Sequence, residues 1–326
     1  MCVDIHPQHP HMVVAGLYDG NVAVYNLQTK QGKPSYLSHP HNGKHKEVVW
    51  QVKWVKDNLD GYLNFYSVAG DGRVTNWTIV KTKLWFNDEL KINFSKGLVN
   101  SDNSSNQLMD SGRALTFKPD DETLFLVGTE EGIVHLATTQ YSSQFLMTYP
   151  AHSTPINNLH WNPYLPEIFL TCASEFVVKI FHRNSTKPIL RFDVGSQVGD
   201  CSWSPYSSTV FAVVSQEGKV FVYDLDVNKY NPICTQAIVP RRRARLNHIS
   251  FNPSEPLIIV GDSCGHVHSL KLSPNLRRMN KETQQAILNK EPNLVKAAEI
   301  RKLEKLLEQV VTTPVLESDS GDENQE

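Results

Sequence analysis

The chain has 326 residues, 40% of them hydrophobic and 20% charged, with a formal net charge of −2. That is enough apolar material for a real core in one large domain or two ordinary ones, and too little charge for bulk nucleic-acid binding. No stretch approaches the roughly 18 consecutive apolar residues of a membrane helix, and Met1 to Pro7 lacks a signal-peptide pattern, so a soluble intracellular protein is expected.

Read in chain order, one unit recurs: a short strand ending near Pro, an apolar strand, an acidic-Gly turn and another strand. Val3 to Pro7 leads to Met12–Leu17, Asp19-Gly20 and Val22–Tyr25. Trp50–Trp54, without the Pro, leads to Leu63–Val68, Asp71-Gly72 and Val74–Trp77. The third unit runs from Leu115 to Pro119, Glu131-Gly132 and Leu136, and the fourth from Leu159 to Pro163, Glu175-Phe176 and Ile180. The fifth runs from Cys201 to Pro205, Glu217-Gly218 and Tyr223, and the sixth from Ile249 to Pro253, Gly265 and Leu270. From Pro to the Gly position the offsets are 13, 13, 13, 13 and 12, and successive turns are 52, 60, 44, 42 and 47 residues apart. A period of about 40 to 50 residues with several short strands per unit is that of a propeller blade. Positive φ at the turn suits Gly, so Phe176 at the fourth Gly position requires a different turn.

These units resemble degenerate WD repeats, with Ala151-His152 standing for the Gly-His dipeptide and Tyr223-Asp224 for Trp-Asp. More specifically, residues 1 to about 280 resemble the dynein intermediate chains, most closely the axonemal outer-arm type. The matching runs are Gly16–Tyr25, Val49–Trp54, Phe125–Gly132, Val198–Asp200, Trp203–Ala212 and Lys271–Arg277. The resemblance implies an all-β WD-repeat propeller that acts as a non-catalytic scaffold for microtubule-based ciliary or flagellar movement. It implies docking on a dynein heavy-chain tail and a second intermediate chain, in the cytoplasmic cytoskeleton of the axoneme. It also implies light chains collected by an N-terminal extension, a segment the 326 residues do not contain. Another reading is a WD-repeat adaptor of an unrelated complex, such as a trafficking or ubiquitin assembly. Because the chain opens on an innermost strand, the expectation is six blades of a larger, seven-bladed ring rather than an imperfect six-bladed one.

The expected division is a propeller over residues 1–274, a linker and amphipathic helix over 275–311, and a disordered acidic tail over 312–326. The tail carries five acidic residues and no Lys or Arg. Pro292 suits a helix start and Thr313-Pro314 a stop. Between them Ala297, Ile300, Leu303, Leu307 and Val310 form one apolar stripe, which packs either on the propeller or on another subunit. Ile300, Leu303, Leu307 and Val310 are therefore candidate partner-binding residues. So are Arg241, Arg242, Arg243 and Arg245, a basic run between the fifth and sixth units that suits an anionic protein surface; the alternative is a solvated connection. The polar run from Gly97 to Gln107 reads as an insertion at a blade edge.

His6, His9 and His11, and His39, His41 and His45, fall in expected loops, and their spacing fits no closed metal site. The five cysteines lack any CxxC pair and read as reduced, mostly buried thiols. Hydrolase, Walker, dinucleotide and zinc-protease motifs are absent. No enzyme activity, cofactor, metal, membrane or nucleic-acid partner is expected.

Overall fold

The computed structural model describes residues 1–29, 32–57, 60–92, 110–141, 144–238, 244–277 and 292–312. Each repeat unit becomes an antiparallel meander, and six of these sheets ring a central channel. Blade one is β1 (Cys2–Ile5), β2 (Met12–Gly16), β3 (Val22–Asn26) and β4 (Tyr36–Leu37). Blade two is β5 (Val49–Val55), β6 (Asn64–Ala69), β7 (Arg73–Val80) and β8 (Lys83–Lys91). Blade three is β9 (Gly112–Phe117), β10 (Leu124–Thr129), β11 (Ile133–Thr138) and β12 (Met147–Pro150). Blade four is β13 (Ile156–Trp161), β14 (Ile168–Ala173), β15 (Val177–His182) and β16 (Pro188–Asp193). Blade five is β17 (Val198–Trp203), β18 (Val210–Ser215), β19 (Lys219–Asp224) and β20 (Cys234–Ala237). Among the described residues blade six has three strands, β21 (Leu246–Phe251), β22 (Leu257–Asp262) and β23 (Val267–Lys271). A 3-10 turn, Pro274–Arg277, follows, and helix α1 (Pro292–Thr312) starts and stops where the prolines allow. No helix among the described residues is long and apolar enough to cross a membrane.

The turns behave as their residues require. Gly20, Gly72, Gly132, Gly218 and Gly265 all have φ between 72° and 85°. The fourth hairpin has the same length, but Phe176 does not adopt positive φ. Second strands are buried along their whole length in β6, β14 and β18, because neighbouring blades cover both faces.

The blades interlock through a repeated aromatic arrangement. Trp54, Trp161 and Trp203, at the ends of first strands, each meet a second-strand Phe edge-on at 5.0 to 5.4 Å. Those phenylalanines stack on Trp77, Phe181 and Tyr223 of the third strands, with ring planes within 11°. Tyr149 and Phe192, from the preceding blades' outer strands, pack against the next blade's rings. Such contacts contribute beyond simple area burial.

Five of the six innermost strands carry a register shift, leaving Trp50, Arg113, Asn157, Gly199 and Asn247 outside the ladder pairing. All five line the central channel, a cavity of about 460 Å³ lined also by Met1 to Val3 and by His248. A bulge re-aims a side chain, and here it turns the repeat's extra residue toward the axis. The Arg113 guanidinium lies 4.1 Å from the Trp50 ring centroid. At Gly199 a Cβ would come within 2.0 Å of the Leu246 carbonyl oxygen, so only Gly lets blades five and six approach this closely. Polar side chains stitch neighbouring first strands together. Asp4 accepts from the Trp54 N–H (2.9 Å), Gln51 from the Leu115 N–H (2.7 Å), and Asp200 from Asn158 Nδ2 (2.6 Å) and the Ile249 N–H (3.0 Å).

Candidate interaction surfaces

A propeller presents two faces and a rim. On one face, where the second-to-third-strand hairpins lie, two histidines hold the connections between blades. His45 Nδ1 is 3.1 Å from Asp71 Oδ1, its Nε2 is 2.7 Å from Ser67 Oγ, and Trp77 Nε1 donates to that same hydroxyl at 2.7 Å. The indole N–H donates to the Ser67 hydroxyl, whose own hydrogen can turn toward Nε2, an arrangement that matches a His45 tautomer with its Nδ1–H toward the carboxylate. Burial acts to raise the Asp71 pKa, but hydrogen bonds from His45, the Lys46 N–H and Arg73 outweigh it and hold the carboxyl below its usual range. His152 repeats the arrangement with Glu175 (3.3 Å) and Thr171 (2.9 Å). Ser153 and His152 bring Glu175 down to about 2 against the opposing effect of burial.

His45 lies in the loop between β4 and β5, as expected, and is buried there in a hydrogen-bond network. His6 is buried as well, with Nδ1 accepting from the Gln8 and His9 N–H groups and its ring against Trp54. Both sit on bends whose backbone donors and acceptors need partners, which spacing alone does not reveal. The cysteine expectation holds for Cys172 and Cys201, which are buried; Cys2 and Cys234 are half-buried, and Cys264 is exposed on a turn.

The opposite face, formed by the first-to-second and third-to-fourth connections, carries α1. The helix lies across blades three, four and five. Leu303 is 1% exposed and joins a core with Leu190, Trp203 and Leu225, while Leu306 and Leu307 pack at its edge beside Leu165 and Ile189. One turn away the Glu299 carboxylate is also 1% exposed. Its Oε2 accepts from the Ser208 N–H at 2.9 Å, and the single Ser208 hydroxyl hydrogen is shared between Oε2 at 2.9 Å and the Glu299 backbone carbonyl at 2.8 Å. Lys296 pairs with Asp120 at 3.3 Å and Lys302 with Asp226 at 3.5 Å, while Lys229 Nζ donates to Gln309 at 3.1 Å. The helix is therefore docked on its own propeller.

Of the candidate stripe, Leu303 is buried, Ala297, Ile300 and Leu307 are half-buried, and the Val310 side chain lies outside the described residues. The buried face is centred on Glu299, Lys302, Leu303 and Leu306, whose spacing of 3, 1 and 3 makes one helical face. Sequence reasoning missed Glu299, because a Glu on a helix reads as solvated until Ser207-Ser208 is placed beneath it. Arg245 is exposed just before β21, while Arg241, Arg242 and Arg243 fall outside the described residues. So do the Gly97–Gln107 run and the acidic tail from residue 313.

Over 316 residues the chain is 45% identical to dynein intermediate chain 2, ciliary, of Heliocidaris crassispina, covering 96% of this chain and 44% of that protein. This chain is a homologue of the axonemal dynein intermediate chains. The bovine dynein axonemal intermediate chain 1 matches at 46% over 308 residues, covering 94% of this chain and 43% of its own. The 78 kDa intermediate chain of the Chlamydomonas reinhardtii flagellar outer arm matches at 37% over 288 residues, covering 86% and 42%. The chain thus spans less than half the length of these curated relatives. No family model matches it. Among solved structures, the computationally designed protein Ika8 superposes with a TM-score of 0.58 at 15% identity, over 83% of this chain and 70% of its own, a likeness of fold alone.

Proposed function

We propose that this chain is the WD-repeat scaffold of an axonemal dynein intermediate chain. It would serve as a non-catalytic platform between a heavy-chain tail and a second intermediate chain in the axoneme of a cilium or flagellum. The observation that carries this reading is the 45% identity over 96% of the chain to a protein named as a ciliary dynein intermediate chain. The division of surfaces supports it. Helix α1 occupies much of one face, so the opposite face remains for partners, with Tyr18 71% and Phe176 56% exposed on its hairpins. Arg245 opens onto that same side, and with Arg241, Arg242 and Arg243 it suits an acidic partner surface. Aromatic and Arg residues are the side chains that most often anchor protein interfaces.

Affinity purification of the tagged chain from ciliated or flagellated cells tests the reading. Co-purification of a dynein heavy chain and a second intermediate chain is expected. Recovery in a complex lacking any heavy chain would overturn it in favour of an adaptor of an unrelated assembly. Hydrolase turnover by the purified chain would overturn its non-catalytic part.

A further inference from the structure

The six hairpins that join second to third strands form an internal control, since each solves the same turn problem. At the positions equivalent to Asp262, blades one to five carry Leu17, Ala69, Thr129, Ala173 and Ser215. At the acidic turn position blade six alone has Cys264, in place of Asp19, Asp71, Glu131, Glu175 and Glu217. After the turn Gly it has His266, where the others have Asn21, Arg73, Ile133, Val177 and Lys219. His268 follows two residues later on the same face of β23. Four potential ligands therefore alternate in Asp262-Ser263-Cys264-Gly265-His266-Val267-His268, a run with no counterpart in the other five hairpins.

The fold brings these groups together. One ligand atom each from Asp262, Cys264 and His266 lie within 4.8 Å of one another. Asp262 Oδ1 caps the turn by accepting from the Cys264 N–H (2.9 Å) and the His266 N–H (2.8 Å). That leaves Oδ2 facing two imidazoles, His266 Nδ1 at 3.1 Å and His268 Nε2 at 3.5 Å. The Asp262 side chain is 3% exposed at the base of the group, whereas His266 is 70% exposed and Cys264 also faces solvent. The site is thus anchored below and open above.

We propose that this hairpin binds a zinc ion through Asp262, Cys264, His266 and His268. One carboxylate oxygen, one thiolate and two imidazoles form a mixed borderline donor set that suits zinc rather than magnesium or calcium. Tetrahedral zinc with bonds of about 2.0 to 2.3 Å places its ligand atoms about 3.4 Å apart. The two carboxylate–imidazole distances already bracket that spacing. On binding, the Cys264 thiol gives its proton to solvent, and the carboxylate–imidazole contacts are exchanged for bonds to the metal. The ion would pin the tip of this blade-six hairpin.

Titration of the full chain, stripped with a chelator, with Co²⁺ and then Zn²⁺ tests the proposal. One Co²⁺ per chain should bind, with a near-ultraviolet thiolate-to-cobalt band and strong visible bands of tetrahedral geometry, and Zn²⁺ should bleach both. Cys264→Ser should lose the thiolate band, and His266→Ala with His268→Ala should lose tight binding, while His9→Ala changes neither. Peptide-resolved alkylation supplies a second readout, in which Zn²⁺ should slow modification of Cys264 in the wild-type chain but not in the double-histidine variant. Absence of the thiolate band, its persistence in Cys264→Ser, or alkylation of Cys264 at the same rate with and without Zn²⁺ would overturn the assignment. Circular dichroism of each variant confirms that the propeller is retained.

Discussion

The seam between blades four and five and the outer faces of blades one and six are built from the same strand pattern, yet they fare differently. At the seam, Phe192, Trp203, Phe211 and Tyr223 are at most 1% exposed, and Leu303 of α1 seals one end. On the outer faces, Val3 is 66%, Ile5 57%, Ile259 44% and Val267 72% exposed. Burial here belongs to the pairing of blades and not to a blade by itself, as expected where each repeat covers its neighbour. An apolar residue in the repeat is a core residue only where a second sheet lies against it.

Substitutions that break this contrast should differ sharply in effect. Trp203→Ala at the seam should destabilise by about 3 to 5 kcal/mol, read as a lowered denaturant midpoint. Leu303→Asp with Leu307→Asp should release α1 and leave the propeller folded. Amide exchange should then rise at Ser207–Thr209 and along β16, the segments beneath the helix; unchanged exchange there would show that the helix contributes no protection.

Acid should act from within the ring. His135 is buried against Phe145, and desolvation lowers its pKa from 6.5 to about 4. The unfolded imidazole takes up its proton first as the pH falls. Stability is therefore full above about pH 6.5 and is lost progressively down to about pH 4, by up to about 3 kcal/mol. His135→Gln should flatten that part of a stability–pH curve. Glu175, held at about 2 against an ordinary 4.5, acts in a lower window, its contribution falling away between those values as acid is added.

Glu299→Ala leaves the Ser208 donors without their carboxylate acceptor in a buried place and should cost about 1 to 3 kcal/mol. Val3→Ala or Val267→Ala on the outer faces should change stability by no more than about 0.5 kcal/mol. A larger loss there would mean that those faces are covered in solution.

Much of this architecture was legible in the residues. Pro-to-Gly spacing marked six hairpin units, because a strand that must end and a turn that needs positive φ leave fixed residue types at fixed intervals. Pro292 and Thr313-Pro314 bounded the helix for the same local reason, since Pro suits a first turn and ends a ladder. The docking face of α1 was only partly visible, because Ile300, Leu303 and Leu307 gave a stripe while Glu299 looked like solvent-facing charge. The roles of His6 and His45 were hidden too, their partners Asp57 and Asp71 being brought to them by the fold.

The sequence by itself determined the local elements of this protein, namely strand lengths, turn chemistry, the period of the repeat and the ends of the helix. Each of those depends on backbone sterics and hydrogen bonding within a few residues. Tertiary structure alone decided which apolar faces are buried, which carboxylates find donors and which histidines and cysteines meet. Those outcomes join residues far apart in the chain, as Glu299 joins Ser208 across 91 residues. Even in the local run from Asp262 to His268, the pleat and turn of a single hairpin were needed to draw alternate side chains onto one point.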